Sequence, residues 1–154
     1  MNQFTLLQNQ ISQLSKKFDI NNINNQQELK GKNCRYVGQV VNGLREGKGI
    51  EYFNNGDRYE GDFRNGKPEG KGIAYYNNGR YEGDFRNGEK EGKGIMYYPN
   101  GDRYEDDYRN GKAEGKGIYY YNNGDRMMGD YYNDKPIGKH VTLTKNGEVE
   151  TTNY

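Results

Sequence analysis

The chain has no tryptophan, one cysteine, one histidine and three prolines in 154 residues, and only 31% of it is hydrophobic. A lone Cys34 excludes an internal disulfide framework and fits a reducing compartment. No run approaches the roughly 20 apolar residues that a membrane-spanning helix needs. The N-terminus also lacks an apolar signal core, so a cytoplasmic location is expected. Net charge is +1, divided as +3 over residues 1–35 and −2 over the remainder. That balance lacks the clustered basic face that nucleic acid requires, so no nucleic-acid partner is expected.

Signals for chemistry are equally sparse. His140 and Cys34 lie far apart in sequence, with no partner set at zinc or nucleophile spacing, and both read as structural. The run Gly66-Lys67-Pro68-Glu69-Gly70-Lys71-Gly72 fails as a phosphate loop, because no Ser or Thr follows the lysine and a strand follows the loop. Carboxylates such as Glu60 and Asp62 recur beside Arg58, Arg64 and Arg80, as solvated cross-strand pairs would. No catalytic residue, metal or cofactor is expected, and the chain does not read as an enzyme.

What the chain does have is glycine, 23 residues, and tyrosine, 16 residues, set in register. Tyr59-Glu60-Gly61-Asp62-Phe63-Arg64-Asn65-Gly66 returns at Tyr81 to Gly88 and again, altered, at Tyr104 to Gly111. Glu69-Gly70-Lys71-Gly72-Ile73 returns at Glu91 to Ile95 and Glu114 to Ile118. The period is 23 residues, with one unit of 22, and a period of this size marks an array of units stable only against their neighbours. Tyr59, Gly61 and Phe63 alternate with Glu60, Asp62 and Arg64, so each strand has an aromatic and a charged face. Asn-Gly pairs mark the turns. Gly61 and Gly83 leave room for rings to lie flat over the backbone and meet edge to face.

The predicted fold is an all-β repeat array, an elongated single-layer antiparallel β-meander of about five hairpins. Its units are 36–58, 59–80, 81–103, 104–126 and 127–149, followed by a tail at 150–154. Ahead of them, Phe4, Leu7, Ile11, Leu14 and Phe18 are spaced 3, 4, 3, 4. That spacing predicts a short amphipathic docking helix over residues 1–18, which either folds back on the repeats or binds another subunit. Residues 19–35 are Asn/Gln-rich and read as a linker.

The motif Tyr-Glu-Gly-Asp-Phe-x-Asn-Gly-x-x-x-Gly-x-Gly-x-x-x-Tyr-x-Asn-Gly resembles the MORN repeat (membrane occupation and recognition nexus). Tyr59, Gly61, Phe63, Gly66, Gly70, Gly72, Tyr76 and Gly79 fall on its recurrent positions. So do Tyr81, Gly83, Phe85, Gly88, Gly92, Gly94, Tyr98 and Gly101, and the match covers 36 to about 149. The resemblance implies elongated β-meanders without enzymatic activity, found in junction proteins that tether membranes, in phosphoinositide kinases, in axonemal radial-spoke heads and in protist cytoskeleton. A chain that is nearly all repeats looks most like the axonemal or cytoskeletal class. It is expected to be a scaffold that binds other protein subunits, or a second copy of itself. The alternative is a membrane tether acting through the repeats or the basic N-terminal segment, with Lys16 and Lys17 on a bilayer.

Partner contacts are expected from Phe4, Leu7, Ile11, Leu14 and Phe18 and from the aromatic-face residues Tyr59, Phe63, Tyr81, Phe85, Tyr104, Asp106 and Tyr108. Departures from the pattern also matter. Glu46, Glu69, Glu91 and Glu114 replace a frequent His and place negative charge along one rim. Asp106 stands where a glycine is expected, and two readings are open: tolerated drift, or a receptor with Asp107 for a partner's cation. In the fifth unit Met127 replaces Tyr, Asp134 replaces Gly and His140 replaces Gly. Terminal repeats cap an array and are commonly atypical.

Overall fold

The computed structural model describes residues 26–154. The helix expected over residues 1–18 lies outside the described residues. Thirteen strands form one antiparallel sheet. The first seven are β1 (Gln26–Lys30), β2 (Cys34–Val41), β3 (Leu44–Phe53), β4 (Arg58–Arg64), β5 (Lys67–Tyr76), β6 (Gly79–Arg86) and β7 (Glu89–Tyr97). They continue as β8 (Arg103–Arg109), β9 (Lys112–Ala113), β10 (Gly115–Tyr120), β11 (Arg126–Tyr132), β12 (Lys135–Leu143) and β13 (Val149–Asn153). Strands pair in chain order throughout, except that the two-residue β9 pairs with β8 beside the main path. The all-β single-layer meander therefore stands.

Its ends extend further than the sequence reading placed them. Residues 26–30, taken as linker, pair with β2 from Gln26↔Gln39 to Lys30↔Arg35. Residues 149–153, taken largely as tail, pair with β12 from Val149↔Leu143 to Asn153↔Lys139. Both segments are polar and exposed, so periodicity gave little sign of them; backbone pairing with a neighbouring strand is what orders them.

Turn chemistry fixes the hairpins. Asn42, Asn65, Asn87 and Asn110 have φ between 49° and 52°, and the glycines after them have φ between 77° and 91°. Positive φ at both central residues is the two-residue turn whose twist matches the flanking strands. The turns at the opposite rim are longer and end in an aspartate. Asp102 accepts the Asn122 amide at 2.8 Å, and Asp125 accepts the Lys145 amide at 2.8 Å, so these two turns each hold the following one. The 22-residue unit is one residue short at this rim. There Tyr76 pairs directly with Gly79, and the shortened turn leaves the registers on both sides unchanged.

The core is a row rather than a layer. Gly38 pairs with Gly49, Gly49 with Gly61, Gly61 with Gly72, Gly72 with Gly83 and Gly83 with Gly94. This glycine row crosses the sheet perpendicular to the strands. Tyr59 lies over it. A Cβ on Gly72 would stand 2.5 Å from Tyr59 Cε2, and one on Gly61 2.7 Å from the Gly72 Cα. Tyr36 lies in the same way over Gly38 and Gly49, and Tyr81 over Gly83 and Gly94. Each ring therefore covers its own strand and the next one, which extends the expectation for Gly61 and Gly83.

Gly72→Ala is expected to lower unfolding free energy by about 3 kcal/mol, because the added methyl displaces a ring that has nowhere to go. Gly111→Ala meets nothing within 4 Å and has φ 81°, so only backbone strain of about 1 kcal/mol is expected. Urea denaturation of the two variants checks the difference.

Candidate interaction surface

The aromatic face is closed by its own rings. Tyr36, Phe63, Tyr59, Phe85, Tyr81 and Tyr108 form a zigzag of edge-to-face contacts with centroids 4.8 to 5.3 Å apart. Each such contact contributes about 0.5–1.5 kcal/mol beyond area burial. The tyrosine hydroxyls are satisfied by backbone: Tyr36 donates to the Gln39 carbonyl at 2.8 Å, Tyr59 to Asp62 at 3.0 Å and Tyr81 to Asp84 at 3.3 Å. Burial raises the Tyr36 hydroxyl to about 12 and pushes Tyr59 and Tyr81 higher still. Tyr59, Phe63, Tyr81, Phe85, Tyr104 and Tyr108, expected to meet a partner, are at most 7% exposed. The structure places these rings in the core. Phe4, Leu7, Ile11, Leu14 and Phe18 lie outside the described residues.

Asp106 is also turned inward, at 6% exposure. It pairs with Gly94 and so interrupts the glycine row. Its Oδ2 accepts the Tyr104 hydroxyl, and its Oδ1 accepts the Asp107 amide at 2.7 Å. Both oxygens are engaged within the chain, so the carboxylate is not presented to an incoming cation. Burial raises its pKa above the ordinary value of 3.8, against the two hydrogen bonds that lower it. The ring zigzag stops here and resumes as Tyr104, Tyr131, His140 and Tyr154, with centroids 4.8 to 5.1 Å apart.

His140 explains the fifth unit. It is fully buried, and its ring lies over Gly129 as the tyrosines lie over theirs. Its Nε2 is 3.0 Å from the Asp130 carbonyl. Asp130 follows Met127 by three residues, as Gln39 follows Tyr36 and Asp62 follows Tyr59. The imidazole thus takes over both jobs of the missing tyrosine, from the neighbouring strand. Met127 for Tyr and His140 for Gly are one paired change rather than two independent drifts.

The opposite face is the accessible one, and it is more than charged. Arg35 stacks over Tyr52, Arg58 over Tyr75, Arg80 over Tyr97 and Arg103 over Tyr120, at 3.8 to 4.4 Å from guanidinium to ring centroid. Glu82 and Glu105 hold Arg80 and Arg103 and raise their pKa values further. A second row pairs Lys48 with Asp62, Lys71 with Asp84, Lys93 with Asp107 and Lys116 with Asp130 at 2.7 to 3.4 Å. Between them, Ile50, Glu60, Ile73, Glu82, Ile95 and Glu105 alternate across the strands. The sequence reading missed the tyrosines of this face. The signal was present in Tyr75-Tyr76, Tyr97-Tyr98 and Tyr119-Tyr120, since adjacent residues of a strand point to opposite faces.

The rim glutamates are structural too. Glu46, Glu69 and Glu91 accept the amides of Asn65, Asn87 and Asn110 at 2.8 to 3.3 Å and so clamp each Asn-Gly turn to the previous hairpin. Among the described residues no group of three or more His, Cys, Asp or Glu is placed to hold a metal ion. No helix of the described residues is long and apolar enough to cross a membrane.

The family model for the MORN repeat matches residues 36–58, 59–79, 81–103 and 107–126. These four repeats cover more than half of the chain, which belongs to the MORN-repeat family. That family is a non-enzymatic repeat family whose repeats suggest interaction with protein or membrane. Comparison with curated proteins returns no match. Among solved structures, the chain is similar to the TCP domain of SAS-4 (dCPAP) of Drosophila melanogaster, solved in complex with a proline-rich motif of Ana2 (dSTIL). Identity is 16%, over 84% of this chain and 90% of that one, with a TM-score of 0.41, and the likeness carries no argument about function.

Met127→Tyr alone is expected to destabilise by about 2 kcal/mol through overpacking against His140. Adding His140→Gly is expected to restore most of that loss, and a double-mutant cycle by urea denaturation measures the coupling. A raised folded pKa makes the Asp106 contribution largest below its unfolded pKa and diminishes it as pH rises through the folded one. Asp106→Asn should therefore flatten the loss of stability that Asp106 contributes as pH rises above the ordinary carboxylate range, read as the urea midpoint against pH.

Proposed function

We propose that this MORN-repeat chain is a non-enzymatic scaffold subunit that holds other protein subunits in a large assembly, with the ciliary axoneme, in particular the radial spoke, or the cytoskeleton as its setting. The observation that carries the reading is the division of labour between the two faces. The aromatic rings are spent on the chain's own stability. The other face repeats one set of arginine–tyrosine stacks and lysine–aspartate pairs along the array. Exposed ion pairs of this kind add little stability. Presented at a fixed spacing, they give a partner several equivalent contacts, and weak contacts on one rigid partner sum to useful avidity. Tyrosine and arginine are also the residues that most often dominate protein interfaces. Among the described residues, β1 and β13 are the end strands of the sheet, and the backbone of an end strand is a site for strand addition.

The test is affinity purification of the tagged protein from detergent-extracted cells, read by mass spectrometry. The wild type should retain axonemal or cytoskeletal subunits. Arg80→Ala with Arg103→Ala should lose them while its melting temperature drops by only a few degrees, as surface changes do. Recovery of the protein alone in the solubilised membrane fraction, with salt-sensitive binding to anionic liposomes, would replace the scaffold with a membrane tether.

A further inference from the structure

The β11–β12 hairpin departs from the motif on the accessible face as well, and there the departures come in sets. In the third and fourth units Arg86 pairs with Glu91 and Arg109 with Glu114, at 3.5 and 3.2 Å. The corresponding residues of the fifth unit are Tyr132 and Ile137. Arg80 and Arg103 are held by Glu82 and Glu105 and stack over Tyr97 and Tyr120. Arg126 has Met128 in place of that glutamate and faces Leu143 in place of that tyrosine. The lysine–aspartate row ends at Lys116 and Asp130, because the residue facing Lys139 is Asn153.

Acids therefore leave all three rows, while Arg126 and Lys139 stay. These two and Lys135 are exposed, and among the described residues none of the three has an ion pair, a side-chain hydrogen bond or a ring beneath it. Apolar side chains take the vacated area. Met128 is 37% exposed, Tyr132 56%, Ile137 45% and Val149 66%. Val141 faces Met128, and Leu143 faces Val149, so the register gathers these side chains on one face. A unit that only capped the array would carry a polar outer face. Here charge is exchanged for a contiguous apolar patch, the mark of an interaction site.

The surplus charge names the chemistry of the partner. Among the described residues of β11 to β13, Asp130 is the one acid on this face, and it is already paired with Lys116. A second copy docked on the patch would set cations against cations. A segment that seats apolar side chains on the patch and carboxylates beside Arg126, Lys135 and Lys139 satisfies both features at once. We propose that the outward face of β11–β12 is a docking site for an acidic amphipathic segment of a protein partner, separate from the repeated arginine–tyrosine face. The proposal rests on the reading of the chain as a protein scaffold and gives one of its contacts a chemistry.

The test uses the purified full chain and a fluorescent amphipathic peptide of leucine and glutamate at helical spacing, with a lysine-for-glutamate copy as control. By anisotropy, the glutamate peptide should bind at least about tenfold more tightly than the lysine copy, and high salt should weaken it. Met128→Glu with Ile137→Glu restores the residues that the earlier units carry at these positions, and binding should fall at least about tenfold. Lys135→Glu with Lys139→Glu should transfer the preference to the lysine copy. Equal binding of the two peptides, or binding that neither double variant changes, overturns the proposal. Self-association abolished by Met128→Glu with Ile137→Glu also overturns it, because the occupant is then a second copy. Capture by phosphatidylserine–phosphatidylcholine vesicles without peptide binding overturns it in favour of a lipid surface. Only purified chain and peptide are present, so failure here leaves the assembly reading standing, and an empty affinity purification leaves this site standing.

Discussion

A tyrosine ring lying flat across two glycines of adjacent strands is the contact on which the rest of this structure depends. A single sheet has no opposing layer to bury its side chains. Here the buried surface is the backbone itself, exposed at glycine and covered by Tyr36, Tyr59 and Tyr81. The hydroxyl of each ring returns to a carbonyl three residues on, so a large polar side chain is buried without an orphan group. The phenylalanines then lock one tyrosine to the next. Remove the glycines and the rings rise; remove the rings and the sheet has no interior.

The two interruptions of the row show how strict that demand is. At Asp106 a carboxylate enters the row, and the nearest hydroxyl, Tyr104, turns to it instead of to a carbonyl. At Gly129 the tyrosine is missing, and His140 comes in from the next strand to cover the glycine and bond to the Asp130 carbonyl. In both places the local sequence departs from the motif while the ring-over-backbone arrangement is rebuilt with other atoms.

The repeat, the strand alternation and the Asn-Gly turns were readable in the sequence because each rests on local chemistry: period two, positive φ, and copies to compare. The family was readable for the same reason. The fate of the aromatic face was not. Alternation says that Tyr59 and Phe63 share a face; it does not say that their rings tile closely enough to leave 3% of each exposed. The strand at Gln26–Lys30 was hidden because a polar edge strand is defined by its neighbour's backbone and not by its own pattern. Tyr75, Tyr97 and Tyr120 were hidden beside Tyr76, Tyr98 and Tyr119, whose side chains point to the other face.

Pairing in chain order has a kinetic meaning. Every strand on the main path finds its partners in the hairpin just made or the one about to be made, so no contact waits for a distant part of the chain. Loop-closure entropy is then small at each step, and low contact order favours rapid folding even for an all-β protein. The ring of one unit settles only when the next hairpin supplies its second glycine. Folding therefore proceeds as a zipper whose growing end is always unfinished, and the sheet can assemble behind the ribosome, unit by unit, as the chain emerges.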